Sequence, residues 1–254
     1  MAPTCWHSSV TRVLEDAGQS RGLVQHSRKL MDHAQPSHHQ ILEFVRRNAA
    51  NFLSLANLLM GLTSVLCSLN GCRQAACWLL LISFMLDLAD GAVARQLNAC
   101  SALGAKLDDF ADFTSFGIAT ALLLHTNCPA GGILFIVYVL AVFIRLCFYS
   151  SGIPFTYCGL PCPYASATLA CASMLTGADL VVLRAIAIIM IFFMVDQGFY
   201  PHDKILESQL WKKAVFVGGV CVMFLSFSPL VCLYHLTWSL SYILFPESLW
   251  NCKV

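Results

Sequence analysis

"DLADGAVARQLNACSALGAKLDDFAD", Asp87 to Asp112, holds five of the chain's 14 acidic residues between two apolar flanks, "WLLLISFML" and "FTSFGIATALLL". The flanks have the length and composition of membrane helices. Carboxylates are costly at such a depth and there mark ion or substrate sites. A compensating partner for them is therefore expected.

The rest of the chain supports the membrane reading. Of 254 residues, 58% are hydrophobic and 11% charged, against about 25% charged in soluble domains. A helix needs about 20 mostly apolar residues to cross a hydrocarbon core of roughly 30 Å. Apolar runs place spans near 50–70, 75–97, 104–126, 131–150, 163–176, 180–197, 212–229 and 230–247. The expected fold is an all-α, polytopic helix bundle of about eight transmembrane helices, with at least six. The last two spans share one run broken near Pro229.

Residues 1–38 are polar and His-rich and read as a flexible cytosolic tail; 39–254 read as one membrane domain. The histidines of the tail (His7, His26, His33, His38, His39) offer metal ligands, but a solvated tail is the preferred reading. No long apolar run near Met1 suggests a cleavable secretory signal, and Glu15 and Asp16 argue against a mitochondrial presequence. "QILEFVRR", Gln40 to Arg47, has apolar residues on one side and charge on the other. It reads as a short interfacial helix before the first span, or as a basic flank of that span.

Basic residues set the expected orientation, since cytoplasmic loops are enriched in Lys and Arg. With a cytosolic N-terminus, only Arg73 and Arg184 of the 15 basic residues fall on the far side. The turn between the second and third spans, and with it the acidic segment, is then cytosolic. A net charge of +1 and the lack of a basic patch with interleaved aromatics give no sign of nucleic acid as a partner. The 13 cysteines show no zinc-type spacing and read as small apolar fillers. Cys158 and Cys162 are the closest pair in sequence, and a reducing cytosol disfavours a disulfide between them.

Asp87 and Asp90 are three residues apart and Asp108 and Asp112 four apart, so on helices each pair shares a face. The two pairs are equidistant from a turn centred near residue 99. A tight antiparallel hairpin therefore brings all four carboxylates to one depth. Like charge and desolvation both oppose ionisation of such a group, and a bound cation offsets both. All-oxygen ligation selects hard ions such as Mg²⁺ or Mn²⁺, and two of them would hold a pyrophosphate. Gly91 and Gly104 allow close approach of a ligand or a helix, and Arg95 can pair with a phosphate. Asp109 points about 100° away from Asp108 and reads as a solvated or supporting group. The alternatives are that Arg95, Lys106 and Arg145 pair with the acids to tie helices together, or that the acids line an ion pathway.

Written as a pattern, the segment is D-x2-D-G-x2-A-R-x8-G-x3-D-x3-D, filled by Asp87, Asp90, Gly91, Ala94, Arg95, Gly104, Asp108 and Asp112. It resembles the signature of the CDP-alcohol phosphatidyltransferases. "NLLMG" (Asn57 to Gly61), "ADFTSFG" (Ala111 to Gly117), "RL" (Arg145, Leu146) and "GLPCP" (Gly159 to Pro163) are similar to stretches of the bacterial-type phosphatidylserine synthases within that family. The resemblance implies an integral membrane enzyme that moves a phosphatidyl group from CDP-diacylglycerol to a small alcohol, serine in that branch, and releases CMP. It implies that Asp87, Asp90, Asp108 and Asp112 share two divalent cations, Mg²⁺ or Mn²⁺, and that Asp112 is the general base. Asn57, Gly91, Ala94, Arg95 and Gly104 would form the nucleotide and phosphate pocket, and Arg145 would bind the phosphate of the donor or the acceptor. A homodimer is implied too. A cytosolic site fits the endoplasmic reticulum, with a mitochondrial membrane as the alternative.

The match has departures. Phe148 stands where the serine branch has a second arginine, and Cys162 and Tyr164 stand where small or apolar residues are usual. Two other readings follow: a catalytically silent relative that binds lipid or nucleotide, and, more remotely, an ion-coupled transporter.

Overall fold

The computed structural model describes residues 38–125, 129–149, 156–201, 209–225, 229–246 and 250. Apart from His38, the expected tail lies outside them. The residues that build the site all belong to the compact unit Arg47–Val254.

Helix α1 (His38–Leu69) runs unbroken through the stretch expected as a separate interfacial helix. Its faces are inverted relative to a soluble helix. Leu55, Leu59, Leu62 and Leu66 point outward, while Ser54, Asn57, Gly61 and Ser64 are buried. Both sets follow helical spacing, so the helix shows lipid an apolar face and its neighbours a small, polar one.

Gly71, at φ 76°, turns the chain into α2 (Arg73–Gln96). A short turn leads to α3 (Ala102–Asp112), which continues through a π-helical stretch, Phe113–Ala119, into α4 (Thr120–Leu122). Helix α5 (Pro129–Ile144) likewise passes into a π-helical stretch, Arg145–Tyr149. Then come α6 (Cys162–Leu175), α7 (Leu180–Val195), α8 (Leu210–Leu225) and α9 (Pro229–Leu244). The break expected near Pro229 is the start of α9, with proline where a missing N–H costs nothing.

These eight helical stretches make an all-α polytopic membrane protein. Among the described residues, Leu42–Leu69, Arg73–Gln96 and Pro129–Phe148 are the three long and apolar enough, by length and composition, to cross a membrane. The later helices, of 14 to 16 residues, are only about 21–24 Å long at 1.5 Å per residue.

Helix α6 is the hub. Every residue from Cys162 to Ser173 is buried, and its Ala, Ser and Cys side chains let α2 and α9 pack closely. Aromatic rings fill the seam. Tyr164 stacks on Tyr242 at 3.9 Å, and the edge of Phe84 from α2 meets Tyr164 at 5.3 Å and Trp238 at 5.4 Å.

One small sheet joins the helices, an antiparallel ribbon of β1 (Thr156–Cys158) and β2 (Phe199–Pro201) with Tyr157 opposite Tyr200. "GLPCP" docks beside it. Gly159 has φ +74°, and a Cβ there would lie 2.4 Å from the Met194 carbonyl, so only glycine fits. Leu160 N–H donates to the Phe193 carbonyl at 2.9 Å. This loop fixes the start of α6, and with it the position of Cys162.

Candidate metal and nucleotide site

The turn between α2 and α3 is as tight as the spacing argument requires. Asn98 takes a left-handed conformation, φ 51°, which asparagine tolerates after a helix end. Ala99 N–H donates to the Ala94 carbonyl at 2.9 Å. Ser101 caps α3, its hydroxyl accepting from Gly104 N–H at 2.9 Å. Both helices therefore persist up to the turn, and the aspartates keep a common depth.

One carboxylate oxygen from each of Asp87, Asp90 and Asp108 lies within 4.8 Å of the other two. Asp112 comes within hydrogen-bonding reach of Asp87. Asp90 and Asp112 are 4% and 6% exposed, so the cluster closes toward the helix bundle. Asp109 is exposed, as its 100° offset predicts.

A partner invisible to the motif comes from α1. Ser54 donates to Asp90 Oδ2 at 2.6 Å across 36 residues of sequence. The signal was present in the periodicity, since Ser54 shares the inward face of α1 with Asn57, Gly61 and Ser64, but nothing in the sequence tied that face to the aspartates.

Beside the cluster opens a cleft of about 160 Å³ between α1, α2 and α3, bounded by Ser54, Asp90, Gly91, Ala94, Arg95, Gly104 and Asp108 among others. Gly91, Ala94, Arg95 and Gly104, grouped by the resemblance, are thus brought together. The two glycines differ in constraint. A Cβ on Gly104 would sit 2.9 Å from Asn51 Oδ1, whereas one on Gly91 would first meet the far end of the long Arg95 side chain at 3.2 Å.

Asn57 is not among the residues that bound this cleft. It is fully buried, its carbonyl accepting from Ser83 at 3.4 Å and Ser115 at 3.1 Å. Those serines lie four residues before Asp87 and three after Asp112. Asn57 therefore sits one turn beneath the carboxylates, with both ends of its amide unmatched. The same layer explains Gly61, where a Cβ would fall 2.1 Å from Ser115 Oγ.

Arg145, 6% exposed, opens the second π-helical stretch, and Asp112 immediately precedes the first. π turns of this kind recur at functional sites. Arg145 Nη1 donates to Cys162 Sγ at 3.4 Å, and Cys162 Sγ to Asp112 Oδ2 at 3.7 Å. Cys158 and Cys162 are free thiols, so the pair considered for a disulfide is not joined. Phe148 is 71% exposed, so the branch's second arginine is replaced at an outward-facing position.

The residues fit divalent cations. Their donors are all carboxylate and hydroxyl oxygens, the set hard ions take. Asp112 Oδ1 is buried without a hydrogen bond, a vacancy costly to leave unmade in the absence of a ligand.

The comparisons with known proteins agree with this geometry. Residues 47–195 match the family model for CDP-alcohol phosphatidyltransferase. The chain is 50% identical to Transmembrane protein 269 of Mus musculus over 84% of each chain, and 51% identical to that of Homo sapiens over 76% of this chain and 96% of the other. It is also 30% identical to CDP-diacylglycerol–serine O-phosphatidyltransferase of Bacillus subtilis over 63% of this chain and 96% of the other. The match covers the acidic hairpin, the cleft and the helices that bury them, and on it the chain belongs to the CDP-alcohol phosphatidyltransferase family, integral-membrane phosphotransferases of phospholipid synthesis.

Proposed function

We propose that this protein transfers a phosphatidyl group from CDP-diacylglycerol to serine and releases CMP. The observation that carries the reading is the gathering of carboxylates from one hairpin, of which Asp90 and Asp108 line a cleft together with Gly91, Ala94, Arg95 and Gly104. Asp87, Asp90, Asp108 and Asp112 would hold two Mg²⁺ or Mn²⁺ ions. Bound there, the ions supply charge neutralisation and polarisation of the pyrophosphate.

The chain's own residues do the remainder. Arg95 pairs with a donor phosphate at the cleft mouth, and Gly104 keeps α3 close to α1 so that the cleft stays narrow. Ser54 fixes the rotamer of Asp90. Asp112 takes the proton of the acceptor hydroxyl as its oxygen bonds to the lipid-side phosphorus. The bond from that phosphorus to CMP breaks in the same displacement, and CMP carries the leaving charge. Arg145 steadies the acceptor side of Asp112.

Serine is chosen because the Bacillus subtilis relative named for that acceptor aligns over 96% of its length. The distribution of basic residues supports a cytosolic N-terminus and a cytosolic site, in the endoplasmic reticulum. A homodimer in the membrane belongs to the same reading.

The test is CMP release by the full chain in liposomes with CDP-diacylglycerol and Mn²⁺, across serine, inositol, glycerol phosphate and choline. Release that requires serine supports the assignment. Release with another acceptor alone replaces serine. Binding of CDP-diacylglycerol without release under any acceptor identifies a silent relative.

A further inference from the structure

Arg145 and Asp112 are each more than nine-tenths buried; Arg145 opens one π-helical stretch and Asp112 immediately precedes the other. A buried arginine beside a carboxylate ordinarily closes on it as a bidentate pair that engages both oxygens. Here a sulfur stands between them. Cys162 Sγ accepts from Arg145 Nη1 at 3.4 Å and donates to Asp112 Oδ2 at 3.7 Å, while Asp112 Oδ1 has no hydrogen bond. Cys162 is itself fully buried and is held there by the Gly159 turn and the start of α6.

We propose that Cys162 is a positioning residue, a thiol spacer that orients Asp112 through Oδ2 and holds Arg145 away from it, so that Oδ1 stays open to the cation and to the acceptor's proton. The proposal rests on the role given to Asp112 above. A thiol suits the task because it is a weak donor and a weak acceptor on a large atom. It separates the charges without competing strongly for either. Alanine would leave a gap into which the guanidinium can close, capturing both oxygens. Serine keeps the donor and the acceptor at a slightly smaller size.

The experiment compares wild type, Cys162→Ser and Cys162→Ala as full-length protein in lipid nanodiscs. It measures kcat and KM for CMP release, and separately Mn²⁺ affinity by electron paramagnetic resonance without substrate. Groups that support metal ligands typically contribute about 10- to 100-fold to affinity or activity. Cys162→Ala is expected to lose about tenfold or more in kcat and in Mn²⁺ affinity, at unchanged KM for CDP-diacylglycerol. Cys162→Ser is expected to recover most of both.

Wild-type kcat and Mn²⁺ affinity in Cys162→Ala would overturn the proposal. So would equal losses in the serine and alanine variants, which would mark a packing role. If wild type released no CMP, the proposed function would fail, and the Mn²⁺ arm would still decide the role of Cys162.

Discussion

The acidic hairpin of α2 and α3 and the aromatic seam between α6 and α9 lie within one bundle and are held by opposite means. In the seam ring packing dominates: Tyr164 stacks on Tyr242, and the Tyr242 hydroxyl donates to the Pro201 carbonyl at 2.8 Å, while Trp238 Nε1 and Ser239 Oγ are buried without a hydrogen bond. In the hairpin four carboxylates are gathered together, and the buried Asp112 Oδ1 has no hydrogen bond. Ring packing holds the seam, whereas the hairpin gathers like charges out of water, a cost that the proposed cations would offset. Substitutions should therefore separate the two regions, those in the seam acting on stability and those in the hairpin on turnover.

The largest effect expected is on turnover. Asp112→Asn should lower CMP release by about 10²- to 10⁴-fold, the range for loss of a general base. Its thermal midpoint should match or exceed that of wild type, because a like charge leaves the cluster. A midpoint that fell along with the rate would erase the contrast. Tyr242→Ala should do the reverse, destabilising the protein by about 3–5 kcal/mol as a large aromatic truncation in a core. The rate per folded molecule should hold, read by a denaturation series beside the activity assay.

Ser54→Ala sharpens the comparison at a single hydrogen bond. It removes the donor to Asp90 and should raise the Mn²⁺ concentration for half-maximal activity about tenfold, with little change in the thermal midpoint. Asp109→Asn should have the smallest effect. This aspartate belongs to the acidic run by sequence but is exposed, so both rate and thermal midpoint should be unchanged. A strong loss there would place the cluster on the wrong face of α3.

These contrasts parallel what was legible in the chain. The hairpin could be read because its information is local: two helical spacings, a turn with Asn98 and Ser101, and glycines at fixed offsets. Span positions were legible for the same reason, as apolar runs are local too. Ser54 could not be paired with Asp90, because the contact joins helices 36 residues apart and a serine on a membrane helix has many ordinary uses.

Asn57 shows a different limit. Its resemblance to a motif residue pointed to the nucleotide, yet the inverted face of α1 carries it one turn deeper, beneath the carboxylates. The π turns at Phe113 and Arg145 left no periodic trace, since one extra residue per turn shifts a helix face without altering composition. Helix α6 falls in the shortest of the expected spans, 163–176. Its small residues are in fact the surface on which the bundle packs, which hydropathy, a measure of contact with lipid, does not report.

The central claim is that the hairpin aspartates form a divalent-cation site. Mn²⁺ titration of the purified full chain, followed by electron paramagnetic resonance, tests it most directly. About two ions per chain, with binding weakened by both Asp87→Asn and Asp90→Asn in protein that keeps its thermal midpoint, is the predicted result. Folded wild-type protein that shows no saturable Mn²⁺ binding, or binding indifferent to those substitutions, would contradict it.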